Sequence, residues 1–200
     1  MNISKATIQR LPKYLRILQQ KQKDGILNIS STAIANELKL NPIQVRKDLA
    51  CIYKQDGKPG VGFDIDKLLQ DIADFLDLEE SNNILIAGAG RLGQALMNYT
   101  GFENEINKII AIDNDASKID NNKIYSIKNI DRVIKDNNIN VGIITVPKQV
   151  AQEVCDKLIS NGVKNIWNFA PTNLKVPDNV NIKNEDLSAS LALLLNGLKK

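Results

Sequence analysis

The residues best placed to do chemistry are three glycines and an aspartate. Residues 88–93 read Gly-Ala-Gly-Arg-Leu-Gly, which matches the pattern GxGxxG. This segment directly follows an apolar run at 84–87 that is typical of a buried strand, and it opens a predicted helix at 92–99. Asp113 lies 20 residues after the last glycine, at the end of the next apolar run. A strand, a glycine turn, a helix and an acidic residue in this order are the fingerprint of a dinucleotide-binding site.

Each part of this motif has a physical role. Gly88 permits the tight turn, Gly90 lets backbone amides approach a pyrophosphate, and Gly93 lets the helix pack close to the strand. Asp113 is expected to accept hydrogen bonds from the adenine ribose, and a 2′-phosphate would face its charge, with Lys118 the nearest cation that follows. We therefore predict NADH and NAD⁺ rather than the phosphorylated cofactors. A purely structural glycine turn is the alternative interpretation.

Further cofactor contacts are predicted beside the motif and where later strands end. Ligands bind at the carboxyl edge of such sheets, where 145–147 (Thr-Val-Pro) and 168–169 (Asn-Phe) leave their strands. From spacing alone, the simpler interpretation is that both segments are ordinary transitions from a strand to a loop and bind no ligand. The predicted contacts are Gly88, Ala89, Gly90, Arg91, Leu92, Gly93, Asp113, Lys118, Val146, Pro147, Asn168 and Phe169.

The N-terminal third of the chain is basic, whereas the remainder is acidic. Residues 1–62 contain eleven Lys and Arg against four Asp and Glu, a net charge of +7 in a chain whose total is +3. This split indicates that the first third meets a polyanion. Chance clustering of solvated lysines is the open alternative.

Two short predicted helices in this basic third are separated by a tight turn at 39–41, which is typical of a helix-turn-helix. A helix that enters the major groove must present long polar side chains. The second helix, predicted over about 42–53, presents three that suit base edges and phosphates: Gln44, Arg46 and Lys47. Taken singly, each is equally a solvated surface residue.

The segment 54–63 is rich in glycine and contains a proline, so it is not helical. It predicts a β-hairpin wing. Lys58 and Gly60 of this wing are expected to contact DNA beside the helix.

Composition excludes several classes of function. The chain has no histidine, which removes Ser-His and Cys-His catalysis and most zinc sites. Cys51 and Cys155 form no CxxC pair, so we interpret them as packed thiols and expect no metal. No apolar run approaches the roughly 18 residues that span a membrane, and the N-terminus does not resemble a secretory signal. The expected location is the cytoplasm.

The elements that must position these residues form two domains of an α/β protein. We predict a winged helix-turn-helix domain over 1–80 and a Rossmann-type parallel-sheet domain over 81–184, because unbroken apolar strands alternate with helices there. The predicted strands are 84–87, 109–112, 141–146 and 166–169. The first helix contains Pro12, which is expected to kink it or begin a second one.

Residues 185–200 are predicted to form an apolar terminal helix. A helix with so many leucines needs a surface to cover it. Docking on a partner subunit, as a dimerisation helix, is the preferred interpretation. Packing on the domain's own sheet is the alternative.

Taken together, the motifs resemble the Rex redox-sensing transcriptional repressors, in the same order and over nearly the whole chain. The matching segments are LPKYLR (11–16), NPIQVRKDLA (41–50), GKPGVGFD (57–64), the glycine motif (88–93), AIDND (111–115), NFAP (168–171) and NEDLSASLA (184–192). The resemblance implies a homodimeric repressor of a palindromic operator. It also implies that NADH releases the protein from DNA, whereas NAD⁺ competes and permits binding.

The resemblance further implies that the C-terminal helix is swapped between subunits. It implies that Arg16, Tyr99 and Asp186 couple the cofactor to domain orientation, with Tyr99 also at the cofactor. The chain departs from the common family pattern at 50–56, which is one residue longer, and in a wing with Pro59 and a single nearby lysine. The wing geometry is therefore expected to differ.

Two other functions fit parts of the sequence. One is a small NAD-dependent oxidoreductase, against which stand the absent histidine and the lack of a YxxxK dyad or substrate domain. The other is a winged-helix regulator that senses a different nucleotide or uses its Rossmann part only for dimerisation.

Overall fold

The computed structural model describes residues 3–54, 61–76, 82–102 and 106–197. The chain divides into two units, Met1–Glu80 and Ser81–Lys200. Among the described residues, no helix has the length and apolar character needed to cross a membrane.

The first unit contains four helices and a two-stranded antiparallel sheet among its described residues. In chain order they are α1 (Lys5–Lys23), β1 (Asn28–Ile29), α2 (Ser31–Leu38), α3 (Pro42–Ala50), β2 (Phe63–Asp64) and α4 (Ile65–Phe75). Pro12 lies inside α1 without ending it. The helix predicted over 42–53 ends at Ala50, because Cys51 and Ile52 form a turn.

Helix starts in this unit follow local side-chain chemistry. The side chains of Ser4, Ser30, Asn41 and Asp64 each accept a hydrogen bond from a backbone N–H in the first turn of the helix they precede. Pro42 at the first position of α3 has no N–H to leave unpaired. The Asn41 cap and Pro42 together fix where α3 begins.

Among its described residues, the second unit is built on six parallel strands, most of them joined through helices. The strands are β3 (Asn83–Ala87), β4 (Lys108–Asp113), β5 (Ile124–Ser126), β6 (Val141–Ile144), β7 (Asn165–Asn168) and β8 (Asn181–Asn184). Their order is β5-β4-β3-β6-β7-β8, and every pairing is parallel. This is the strand order of dinucleotide-binding α/β sheets.

The helices of this unit are α5 (Arg91–Met97), α6 (Ile130–Asp136), α7 (Lys148–Ser160) and α8 (Leu187–Gly197). The strand predicted over 141–146 ends at Ile144, because the chain turns from there toward Pro147, which precedes α7. Strands β5 and β8 were not predicted. Both lie at the edges of the sheet, and they are short or mostly polar, so neither contains an apolar run.

Helix α8 contains no buried residue. Its leucines, including Leu191 and Leu194, are exposed. The alternative in which this helix packs on its own sheet is therefore not what the structure shows.

Candidate functional site

The candidate cofactor cleft lies where the strand order reverses. β3 is flanked by β4 on one side and β6 on the other, so the connections that leave the carboxyl ends of β3 and β6 run in opposite directions and open a crevice between them. Gly88 follows β3 with φ +104°, and a Cβ there would lie 3.0 Å from Val146 Cγ1. The Thr145 Oγ1 atom lies 2.8 Å from the Gly88 carbonyl oxygen and holds the turn in place.

The other two glycines of the motif serve different purposes. A Cβ at Gly93 would collide with the Gly88 carbonyl oxygen, so glycine is required for α5 to pack on the turn. A Cβ at Gly90 would meet no protein atom within 4 Å. The protein itself therefore does not demand glycine at 90, and the open space beside it is where a pyrophosphate would approach the first turn of α5.

Asp113 ends β4 beneath the glycine turn and is only 7 % exposed. Its carboxylate accepts hydrogen bonds from the backbone N–H of Ala89 at 2.7 Å and of Asp115 at 2.9 Å, and Lys118 Nζ lies 3.2 Å away. Burial pushes the pKa of Asp113 upward, but these donors outweigh it and lower the pKa below its ordinary value. The residue is therefore ionised at neutral pH.

The cleft has a volume of about 650 Å³. Predicted contacts that line it are Gly88, Gly90, Asp113, Lys118, Val146 and Pro147. Ala89 is buried beneath it, and Arg91 and Leu92 lie in the exposed first turn of α5.

One wall of the cleft was missed by the sequence analysis. It is formed by the face of α7 that carries Val150, Glu153, Val154 and Lys157. Glu153 and Lys157 are joined by an ion pair of 2.8 Å. These four residues repeat at spacings of three and four on the helix after the third predicted strand, and that spacing is a signal that would have found them.

Besides Ala89, Arg91, Leu92 and Gly93 of the glycine motif, three predicted cofactor contacts farther along the chain also lie outside the cleft lining. Asn168 is 0 % exposed, and its side-chain amide bonds the loop that follows, including the Thr172 carbonyl oxygen at 2.7 Å. Phe169 packs against Trp167 with ring centroids 4.8 Å apart. Tyr99 is exposed and lines a separate depression of about 330 Å³. The Asn168 side chain therefore shapes the sheet edge and is not available to a ligand.

The candidate DNA-binding face is the exposed side of α3. Gln44, Arg46 and Lys47 are all exposed there, as predicted from helical spacing. In the part of the chain that the structure describes, Arg46 and Lys47 form no ion pair, so both cations are available to phosphates. Lys58 and Gly60 lie outside the described residues.

Ile43 was missed, although it is 65 % exposed beside Gln44. The sequence does contain a signal for it, because Ile43 does not share the helix face on which the apolar residues Val45 and Leu49 lie. An exposed apolar side chain at the start of a groove-binding helix suits the methyl group of thymine.

The underside of α3 is anchored by Asp48, which is buried. Arg10 Nε and the Tyr14 hydroxyl each donate to Asp48 Oδ2 at 2.6 Å, and the Thr7 hydroxyl donates to Oδ1 at 3.1 Å. Burial raises the pKa of Asp48, but the hydrogen bonds from Arg10, Tyr14 and Gln44 outweigh it and lower the pKa to about 2. A carboxylate that is ionised at neutral pH thus ties α3 to α1.

The remaining residues singled out from the sequence are two proposed coupling residues and the two cysteines. Arg16 is exposed on α1 in the first unit. In the second unit, Asp186 Oδ1 accepts a hydrogen bond of 2.8 Å from the backbone N–H of Ala189 at the start of α8. Cys155 is buried, and burial raises the pKa of its thiol to about 11. Cys51 is exposed, which corrects its assignment as a packed thiol; it lies past the end of α3, and its thiol donates to the Lys47 carbonyl oxygen at 3.1 Å.

Within the described ranges, no group of His, Cys, Asp and Glu side chains has the arrangement of a metal site.

Comparisons with known proteins cover both units. Residues 2–50 match the family described as "Putative DNA-binding protein N-terminus", and residues 79–172 match "CoA binding domain". The redox-sensing transcriptional repressor Rex of Clostridium beijerinckii is 40 % identical over 97 % of this chain and 94 % of its own. That of Carboxydothermus hydrogenoformans is 38 % identical over 99 % of this chain and 97 % of its own.

Solved structures agree with the sequence relatives. RSP, a Rex-family repressor, in complex with β-NAD⁺ and operator DNA superposes with a TM-score of 0.88 at 35 % identity. That match covers 99 % of this chain and 93 % of RSP. The complex of RSP with β-NADH gives a TM-score of 0.82 at 34 % identity, over 99 % of this chain and 95 % of RSP. The chain therefore belongs to the Rex family of redox-sensing transcriptional repressors.

Proposed function

We propose that the protein represses transcription by binding operator DNA through α3, and that NADH bound in the second unit releases it. The observation that carries the proposal is the full-length similarity to RSP, whose structures hold operator DNA with NAD⁺ and, separately, NADH. The cleft beside Gly90 and the free cations of α3 supply one site for each ligand within one chain.

The cofactor is NADH or NAD⁺ rather than a ribose-phosphorylated analogue. Asp113 is ionised, and the cluster of Asp113, Asp115 and Lys118 keeps a net charge of −1. A phosphate on the adenine ribose would face that negative charge. The same argument disfavours coenzyme A, which carries a ribose phosphate, although the matched family's description names it.

Control of DNA binding is a shift in population between a DNA-competent dimer and a closed one. NADH must bind the closed form more tightly, because a ligand with equal affinity for both forms shifts nothing. The proposed domain limits are 1–80 for the DNA-binding domain, 81–184 for the cofactor-binding domain and 185–200 for the dimerisation helix. Arg16, Tyr99 and Asp186 are the proposed link between cofactor and DNA-binding domain.

The proposed dimer is held in part by α8. An apolar helix with none of its residues buried within the chain is suited to a partner subunit. A two-fold symmetric dimer would read a palindromic operator, because operator symmetry mirrors protein symmetry. Such a repressor would work in the cytoplasm, where it meets DNA.

Regulation is favoured over oxidoreductase chemistry. The sequence has no histidine to transfer a proton, and Tyr99, a side chain that could do so, lines a depression other than the cleft. Cofactor turnover with a panel of hydroxy acids and aldehydes tests this directly. We expect no turnover above a blank; turnover that depends on the protein would revive the enzymatic interpretation.

The proposal is tested by ligand titration of the operator complex at fixed salt. NADH should dissociate the complex, whereas NAD⁺ should not, and NADPH and coenzyme A should be far weaker than NADH. Release by coenzyme A at lower concentration than NADH would favour a regulator of another nucleotide.

A further inference from the structure

The exposed Gln44 side chain is held in one orientation by the buried carboxylate below it. Gln44 lies in the first turn of α3, and its Nε2 atom donates to Asp48 Oδ1 at 2.9 Å, one helical turn later. Asp48 is only 2 % exposed, so its contact with Gln44 is made at the inner end of the glutamine amide.

The direction of that hydrogen bond cannot be reversed. Arg10 and Tyr14 keep Asp48 ionised, and an ionised carboxylate only accepts hydrogen bonds. If the Gln44 amide turned over, its Oε1 atom would face the carboxylate and repel it. The –NH₂ group therefore points inward, because the hydrogen-bond network decides which end of a side-chain amide is nitrogen.

The outward edge of Gln44 consequently presents one acceptor and one donor. Oε1 accepts no hydrogen bond from any described residue, and one N–H remains beside it. In the major groove, adenine offers the matching pair, an N6 donor and an N7 acceptor. Guanine offers two acceptors, O6 and N7, which would require two donors.

We propose that Asp48 is a positioning residue for sequence readout: it fixes Gln44 so that the repressor selects adenine at one position of each operator half-site. Ile43, exposed beside Gln44, fits the methyl group of a thymine next to it. This inference rests on the proposed function, because it takes α3 to be the helix that meets DNA.

The experiment is selection of bound duplexes from a randomised double-stranded DNA library, with the full chain and NAD⁺ at fixed salt. We expect one position per half-site at which adenine is preferred over guanine by on the order of tenfold or more. Gln44→Ala should remove the preference at that position and leave the others in place. An unchanged profile for Gln44→Ala would overturn the proposal.

Asp48→Asn separates positioning from simple contact. An amide at position 48 is able to donate to Oε1, so Gln44 turns over, presents two donors, and the preference moves from adenine toward guanine. Tyr14→Phe is the matched control: it removes a hydrogen bond to Asp48 Oδ2 but leaves the bond to Gln44, so the adenine preference should persist. A folded Asp48→Asn variant that still prefers adenine as the native chain does would contradict the proposal.

A second measurement does not depend on any variant being folded. In the DNA-free protein, one of the two Gln44 side-chain amide protons should exchange with water more slowly than those of Gln9, an exposed glutamine on α1. Equal exchange would refute the fixed orientation. If the native chain selects no sequence at all, DNA binding itself is contradicted, whereas a selected operator that ignores Gln44 contradicts only this inference.

Discussion

Asp48 and Asp113 are both buried aspartates with a lowered pKa, yet they are satisfied in different ways. Asp48 in the first unit is held entirely by side chains: Arg10, Tyr14, Thr7 and Gln44. Asp113 in the second unit is held mainly by backbone N–H groups and lies at the wall of a cleft. Side chains brought from α1 can lock a helix in place, whereas backbone donors leave a carboxylate edge that a ligand can reach.

The largest effect should come from removing the side-chain network. Asp48→Ala leaves the Arg10 guanidinium and the Tyr14 hydroxyl without their acceptor, and breaking such a pair costs about 3 kcal/mol. We expect the denaturation midpoint of the first unit to fall strongly in urea, followed by circular dichroism. A loss of unfolding free energy below about 1 kcal/mol would show that water replaces the network easily. Asp48 would then be no more important for folding than Asp113.

Removing the other aspartate should affect ligand binding more than folding. Asp113→Ala deletes the carboxylate at the ribose position, so the Kd for NADH should rise on the order of tenfold to a hundredfold, or about 2 kcal/mol. Titration of NADH fluorescence measures it. Asp115→Ala is the control, because Asp115 is exposed and does not line the cleft, and its Kd should stay near that of the native chain. Equal losses in both would argue for a general charge effect.

The lowered pKa of Asp48 gives the first unit a specific dependence on acid. Its pKa is 3.8 ordinarily and about 2 when folded, so its stabilising contribution is present above pH 4 and is lost as the pH falls toward 2. The full contribution is about 2 kcal/mol. Asp48→Asn cannot titrate, so the stability gap between it and the native chain should narrow by that amount between pH 5 and pH 2. A constant gap would mean that the aspartate is not specially stabilised.

The smallest expected effect is on the salt dependence of operator binding, where an unpaired lysine should matter and a paired one should not. Lys47→Ala should reduce the slope of log K against log salt for operator binding by about one unit, because one phosphate contact is lost. Lys118 is already engaged by Asp113 and Asp115, so Lys118→Ala should leave that slope unchanged. A reduced slope for Lys118→Ala would place DNA contacts on both units.

The sequence predicted what local patterns encode and missed what distant contacts decide. The glycine turn, Asp113 and the helix caps were predictable, because their signals lie within a few residues of one another. The burial of Asp48 was not, since it depends on Thr7, Arg10 and Tyr14, 34 to 41 positions earlier in the chain. Edge strand β8 escaped because its sequence, Asn-Ile-Lys-Asn, is mostly polar.

Asn168 shows the opposite difficulty. It stands at the carboxyl end of β7, where ligands bind, and so it resembled a cofactor contact. The structure instead uses its amide to bond Thr172 and Asn184. A polar residue at a strand end can contact a ligand or bond neighbouring protein groups, and the path of the loop that follows decides between the two.

The central claim is that one chain couples the cofactor in its second unit to the DNA held by its first. Operator affinity measured at fixed salt across a series of NADH/NAD⁺ ratios tests it most directly, in the native chain and in Asp113→Ala. Operator affinity should fall as the ratio rises in the native chain, and in Asp113→Ala the same fall should require a higher NADH concentration. Equal operator affinity with and without saturating NADH would contradict it.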